Sequence, residues 1–143
     1  MRKKELPLAC GIALVYLVAL YWLSRDYTFF PFLLGAVGLL SLITLLCYGF
    51  DKRAAARQAQ RTPEKTLHLL AVAGGWPGAL IARPLFRHKT RKQPFTGIFW
   101  TTVMVSSGLL GSFLLLEQTA AARDWLDVEA LQWRFFVQQY LSA

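Results

Sequence analysis

Three blocks of this chain carry no charged residue over lengths that few globular cores can use: Leu6–Leu23, Phe29–Phe50 and Phe95–Leu116, of 18, 22 and 22 residues. About 20 apolar residues in a helix are needed to cross roughly 30 Å of hydrocarbon. In hydrocarbon a single segment satisfies its backbone polar groups only by forming a helix. The blocks therefore predict an all-α membrane protein, one domain over 1–143, with spanning helices at about 6–23, 29–50 and 95–116. The basic start Met1-Arg2-Lys3-Lys4 would suit a secretory signal, but no small-x-small cleavage site precedes Ser24, so 6–23 reads as a retained anchor helix. Cys10 and Cys47 fall inside predicted helices with no Cys-x-x-Cys or Cys/His company, and read as inert thiols.

A fourth apolar run, Leu69–Ala82, has fourteen residues and is broken by Gly74-Gly75-Trp76-Pro77-Gly78. Charge decides how such a segment sits, because Lys and Arg in short connections orient a membrane protein. Arg2, Lys3 and Lys4 put the N-terminus in the cytoplasm, and the first turn, with Arg25 beside Asp26, outside. Lys52, Arg53, Arg57, Arg61 and Lys65 on one side of the fourth run, and Arg83, Arg87, Lys89, Arg91 and Lys92 on the other, both belong inside. One crossing cannot satisfy both, whereas a segment that enters and returns can. Glycine permits positive φ and proline interrupts a helix, so the break supplies the means. The preferred expectation for 66–86 is a re-entrant or interfacial hairpin, ahead of a short, tilted fourth span with snorkelling arginines.

Gly35, Gly38 and Ser41 in the second block, and Ser107/Gly111 with Gly108/Ser112 in the last, predict seats for close helix packing. Tyr21, Trp22, Tyr48, Phe95 and Trp100 lie near block ends and read as interfacial aromatics. Ala120–Leu141 combines early acids with Trp125, Trp133, Phe135, Phe136 and Tyr140, and reads as an amphipathic interfacial helix.

From Asp51 to Lys92 the chain has ten Lys/Arg and two acids, which accounts for its whole formal net charge of +8. Asp51–Gln60 is predicted helical, with Arg53, Arg57 and Arg61 four apart as a basic stripe, and Thr62-Pro63-Glu64 reads as a helix start with Thr62 as N-cap. Attraction to anionic lipid, about 1 kcal/mol per cation near the surface, explains the cations. It does not explain Asp51, Glu64, His68 and His88, or a glycine bend between the histidines.

Tyr48-Gly49-Phe50-Asp51-Lys52-Arg53-Ala54, Arg61-Thr62-Pro63-Glu64, Leu67-His68-Leu69-Leu70, Gly74-Gly75-Trp76-Pro77-Gly78-Ala79 and Phe86-Arg87-His88-Lys89-Thr90-Arg91-Lys92-Gln93-Pro94-Phe95 resemble, in order and spacing, the signature of a small bacterial membrane-protein family, the domain of unknown function 1294 family. The resemblance implies a bacterial inner-membrane location and brings no activity, catalytic residue or cofactor.

The candidate ligand-binding residues are Asp51, Lys52, Arg61, Glu64, His68, Gly74, Gly75, Gly78, Arg87, His88, Lys89, Arg91 and Lys92. Asp51 and Glu64 read first as ion-pair partners, since a carboxylate at a membrane boundary is costly unless paired, and only second as an acid/base pair. Two histidines without further His or Cys do not make a metal site, and no cofactor is expected. The glycines could admit backbone amides to an anion, or simply bend the chain. A binding role toward membrane lipids and anionic head groups ranks first, a membrane enzyme on a lipid phosphate second, and a homo-oligomeric transporter third, because the spans contain no charge. A basic patch attracts any polyanion, but without interleaved exposed aromatics nucleic acid ranks low.

Overall fold

The computed structural model describes residues 5–58, 60, 62–86 and 93–142, with the backbone alone for 93–95. The described residues are all-α: α1 (Glu5–Ser24), α2 (Phe30–Ala56), α3 (Glu64–Leu70), a wide turn (Ala71–Gly75), α4 (Trp76–Leu85), α5 (Gln93–Leu115), a single 3-10 turn (Glu117–Thr119) and α6 (Ala120–Leu141). Three of these helices, over Glu5–Ser24, Phe30–Ala56 and Thr96–Leu115, are long and apolar enough to cross a membrane. Their outward faces carry side chains such as Leu14, Leu39 and Met104, 63%, 59% and 75% exposed. Surface of that kind is stable in hydrocarbon and costly in water, and the molecule is a membrane protein.

Two boundaries differ from expectation. α2 does not stop at Phe50 but runs through Asp51-Lys52-Arg53-Ala54-Ala55-Ala56, where strong helix formers continue the apolar block. It ends where Gln58 takes a positive φ of 52°. The helical stretch predicted over 51–60 is, as far as Ala56, the last turns of α2, and Arg57 is its C-cap, with Arg61 of the expected stripe outside the described residues. Thr62 is not an N-cap: Pro63 takes that position without a side-chain hydrogen bond, and Thr62 contributes its backbone N–H to Asp51 instead.

The segment from Glu64 to Leu85 organises the bundle. α3 touches α2 and α5, the wide turn touches the same two helices, and α4 packs on α1 and α2. Its path can be followed along α2. The approach to α3 is fixed near Asp51, where Thr62 N–H donates to the carboxylate. The turn lies farther along, with Gly74 beside Val37 and Leu40, and Gly75 against Leu40 and Thr44. α4 then comes back past Ser41 at Gly78, and Phe86 just beyond its end packs on Gly49. From Asp51 to Leu40 is roughly 16 Å at 1.5 Å per residue, so the segment travels about that far and returns to the end where it began.

Three glycines make this route possible, each differently. Gly74 has φ 115°, a conformation that breaks the helical path inside the wide turn and that side-chain-bearing residues rarely adopt. A Cβ on Gly75 would meet Thr44 Oγ1 and would lie 2.8 Å from the carbonyl oxygens of Leu40 and Leu70. At Gly78 it would run into the backbone of Ser41, 2.7 Å from Cα. Trp76 follows the bend, and Pro77 occupies the first turn of α4, where its missing N–H leaves no bond unmade.

The other end of the bundle is closed by α6. Arg123 Nη1 donates to the carbonyl oxygens of Phe113 and Leu116, 2.7 and 2.8 Å, and to Thr119 Oγ1 at 2.6 Å, capping α5. Asp127 Oδ1 accepts the Phe29 N–H at 3.0 Å, capping α2. Ala130 is buried in a cluster with Leu20, Phe29 and Leu114, while every residue from Leu131 to Ser142 is exposed.

Most of the small-residue seats are unused. Gly35, Gly38, Gly108 and Gly111 have nothing within 4 Å of a built Cβ, whereas Ser41 receives a close partner, Gly78. The reason is that the intervening segment, not direct contact between spans, fills the bundle.

Candidate functional site

The end of the bundle where α3 begins and α4 finishes holds a buried polar cluster. Tyr48 and Asp51, three apart on α2, share a face, and both are fully buried. Glu64 and His68, four apart on α3, likewise share a face. Both are half-buried, and both ring nitrogens of His68 are shielded from solvent. Arg83, in the last turn of α4, is 7% exposed.

Arg83 is the pivot. Its Nη2 donates to Thr96 Oγ1 on α5 at 2.9 Å, and its guanidinium carbon lies 4.5 Å from the centroid of the Phe99 ring, a cation–π contact. Arg83, Asp51 and Glu64 all lie within electrostatic reach of the Tyr48 hydroxyl. Burial pulls the Arg83 guanidinium below the ordinary arginine value, and the Tyr48 hydroxyl opposes that pull; arginine stays cationic in proteins. Tyr48, Asp51, Glu64, His68 and Arg83 each engage neighbours. A charge-bearing cluster at this depth is tolerated only when its members are hydrogen-bonded or paired, and this one joins α2, α3, α4 and α5.

Of the sequence-predicted residues, the structure brings Asp51, Glu64 and His68 to this end. Lys52 is exposed on the next position of α2. Gly74, Gly75 and Gly78 are buried against α2, with Gly75 and Gly78 facing Leu40, Ser41 and Thr44, so these two do not present amides to a ligand near Asp51. The bend lies at the far end of the segment from Asp51, packed against α2. Arg61, Arg87, His88, Lys89, Arg91 and Lys92 lie outside the described residues. Among the described residues no three His, Cys, Asp or Glu side chains could hold a metal ion.

Two members of the cluster were not singled out from sequence. Tyr48 was expected at the interface with other aromatics, but it is wholly buried, whereas Tyr21, Trp22 and Trp100 are exposed as expected. Its signal was its spacing from Asp51. Arg83 was counted among the basic residues, although it follows an unbroken run of small and apolar side chains that a surface cation would not need.

The fold and this cluster define a class: a helical membrane protein in which three helices of spanning length surround an out-and-back segment that seals a polar cluster at one end. Residues 41–95 match the model of the family described as Protein of unknown function (DUF1294). The match begins at Ser41, which receives Gly78, and extends to the start of α5, so it contains both glycine seats and all of the cluster but Thr96 and Phe99. No curated protein and no solved structure matches the chain significantly.

Proposed function

We propose that this is a multi-pass protein of the bacterial inner membrane with a cytoplasmic N-terminus, whose segment 66–86 enters from the cytoplasmic face and returns to it. Its basic end holds a phosphate-bearing anionic ligand, most simply the head group of a phospholipid. The observation that carries the reading is the segregation of charge. Lys52, Arg53, Arg57 and Lys65 are all exposed, while Asp51 is fully buried and Glu64 half-buried in the cluster. The acids turn inward, within electrostatic reach of the buried Tyr48 hydroxyl, leaving a cationic surface around the end of the bundle. At about 1 kcal/mol per cation near an anionic surface, four such residues supply a preference of roughly 4 kcal/mol at most, reduced by screening.

The out-and-back path along α2 supports the re-entrant reading, because it brings the connections on both sides of the segment to one end, as the positive-inside rule requires. Backbone that breaks helix at membrane depth needs surrounding protein, and Gly74–Gly78 is buried. The test is lipid retention: protein purified in detergent from a mixture of phosphatidylglycerol and phosphatidylcholine should carry an excess of phosphatidylglycerol. Combining Lys52→Gln, Arg53→Gln, Arg57→Gln and Lys65→Gln should remove that excess. Retention unchanged in this variant, and in one neutralising Arg87, Lys89, Arg91 and Lys92, would overturn the reading.

A second reading, a membrane enzyme acting on a lipid phosphate, draws on His68 beside two carboxylates. It ranks lower because both ring nitrogens of His68 are shielded from solvent, whereas a general base must reach its substrate directly or through one water.

A further inference from the structure

The out-and-back segment fills only part of the space between α2 and α5. Beyond the turn, the two helices are separated by a groove of about 290 Å³, lined among others by Leu33 and Leu40 on α2, Gly74 at its floor, and Leu109 and Phe113 on α5. It lies between two helices long and apolar enough to cross a membrane, so its surroundings are hydrocarbon. From Leu33 to Leu40 is roughly 10 Å at 1.5 Å per residue, and the volume over that length leaves roughly 30 Å² for the centres of water-sized groups, a slot roughly 9 Å wide between the surfaces of its walls. A helix with its side chains is about 10–12 Å across and does not enter a slot of that width. An extended hydrocarbon chain does.

We infer that this groove is a binding site for one acyl chain of a lipid in the leaflet opposite the basic end. Its depth fits: α2 begins at Phe30, close to the end of the bundle closed by α6, and the groove extends from Leu33 to the turn, which leaves most of one leaflet for the chain. The turn serves as a floor, with Gly74 beside Val37 and Leu40. The site rests on the membrane reading of the helices and is independent of the headgroup assignment at the other end.

The experiment uses the full chain in nanodiscs of phosphatidylcholine carrying a photoactivatable diazirine at mid-chain, with adducts mapped by peptide mass spectrometry. The expected result is at least fivefold more adduct on Leu40 and Phe113 than on the outward-facing Leu39 and Met104. Ala36→Trp, which fills the groove, should remove that excess and leave the outward adducts unchanged. Equal labelling of groove and outward positions in the unmodified chain overturns the inference, whether or not Ala36→Trp folds. So does a disulfide-linked dimer formed by Leu109→Cys in a chain with both native cysteines replaced by serine, because the groove would then belong to a second copy.

Discussion

Gly78 offers a sharp test of how the bundle is held together. Replacing it with alanine adds one methyl carbon, which would sit 2.5 Å from the carbonyl carbon of Ser41 and 2.7 Å from its Cα. Carbon atoms pack at about 3.5–4.0 Å, so α4 must retreat from α2 by about 1 Å, and the obstacle is backbone that cannot rotate away. A gap of 0.5–1 Å forfeits a quarter to a half of each contact's attraction of about 0.1–0.2 kcal/mol. Trp76, Ala79, Leu80 and Ala82 are all buried on α4, and loosening about forty of their atomic contacts costs about 2 kcal/mol. Overpacking of a tight site gives the same range, about 1–3 kcal/mol. The control is Gly38→Ala, one turn before Ser41, where a new Cβ meets nothing within 4 Å. Both substitutions share the helix-propensity gain of just under 1 kcal/mol, so the difference between them isolates the steric cost. Thermal unfolding in one detergent, followed by tryptophan fluorescence, should place Gly78→Ala roughly 4–8 °C below Gly38→Ala, at about 2–4 °C per kcal/mol for a chain of this size. Midpoints within 2 °C of each other would refute the close approach of α4 to α2.

Arg83→Lys keeps the charge but loses the planar fork on Thr96 and the stacking on Phe99, and should destabilise by about 1–2 kcal/mol in the same assay; a midpoint equal to the unmodified protein would remove Arg83 from its central place. Arg123→Ala deletes the donor to Phe113, Leu116 and Thr119, at about 1.5–3 kcal/mol for charged hydrogen bonds, and should expose the link before α6 to limited proteolysis. No gain in cleavage would mean that α6 is held by other contacts. Asp127→Ala, which removes the cap on the Phe29 N–H, should cost about 1 kcal/mol, read as a small drop in the unfolding midpoint, and a loss as large as that of Arg123→Ala would contradict a simple cap. For topology, single cysteines at Lys65 and at Gln118 in a chain lacking Cys10 and Cys47 should differ in intact cells, with only position 118 labelled by an impermeant maleimide; labelling of both would break the same-end argument.

The long helices were legible because the signal is simple: an apolar block of spanning length has few other uses, and α1, α5 and α6 lie within two residues of where composition puts them. The end of α2 was not, because the change from apolar to charged at Asp51 marks a change of surroundings and not of backbone, and Ala54-Ala55-Ala56 continue the helix regardless. The small-residue spacing in α2 and α5 misled for a related reason. Spacing identifies a stripe that could accept a neighbour, but whether a neighbour arrives is a property of the whole bundle, and here the hairpin-like segment takes that place at Ser41, while Gly35, Gly38, Gly108 and Gly111 stay open.

The cluster was legible in halves. Tyr48 with Asp51, and Glu64 with His68, are pairs that helical periodicity already places on single faces. Nothing local joins the two pairs to Arg83. That junction depends on α4 running back along α2, which requires a positive φ at Gly74 and direct contact of Gly75 and Gly78 with the α2 backbone. A side chain at either contact would hold α4 off and lift Arg83 away from Thr96 and Phe99. The glycines and the charged residues of the motif are therefore cause and consequence: the glycines build the return, and the return assembles the charges.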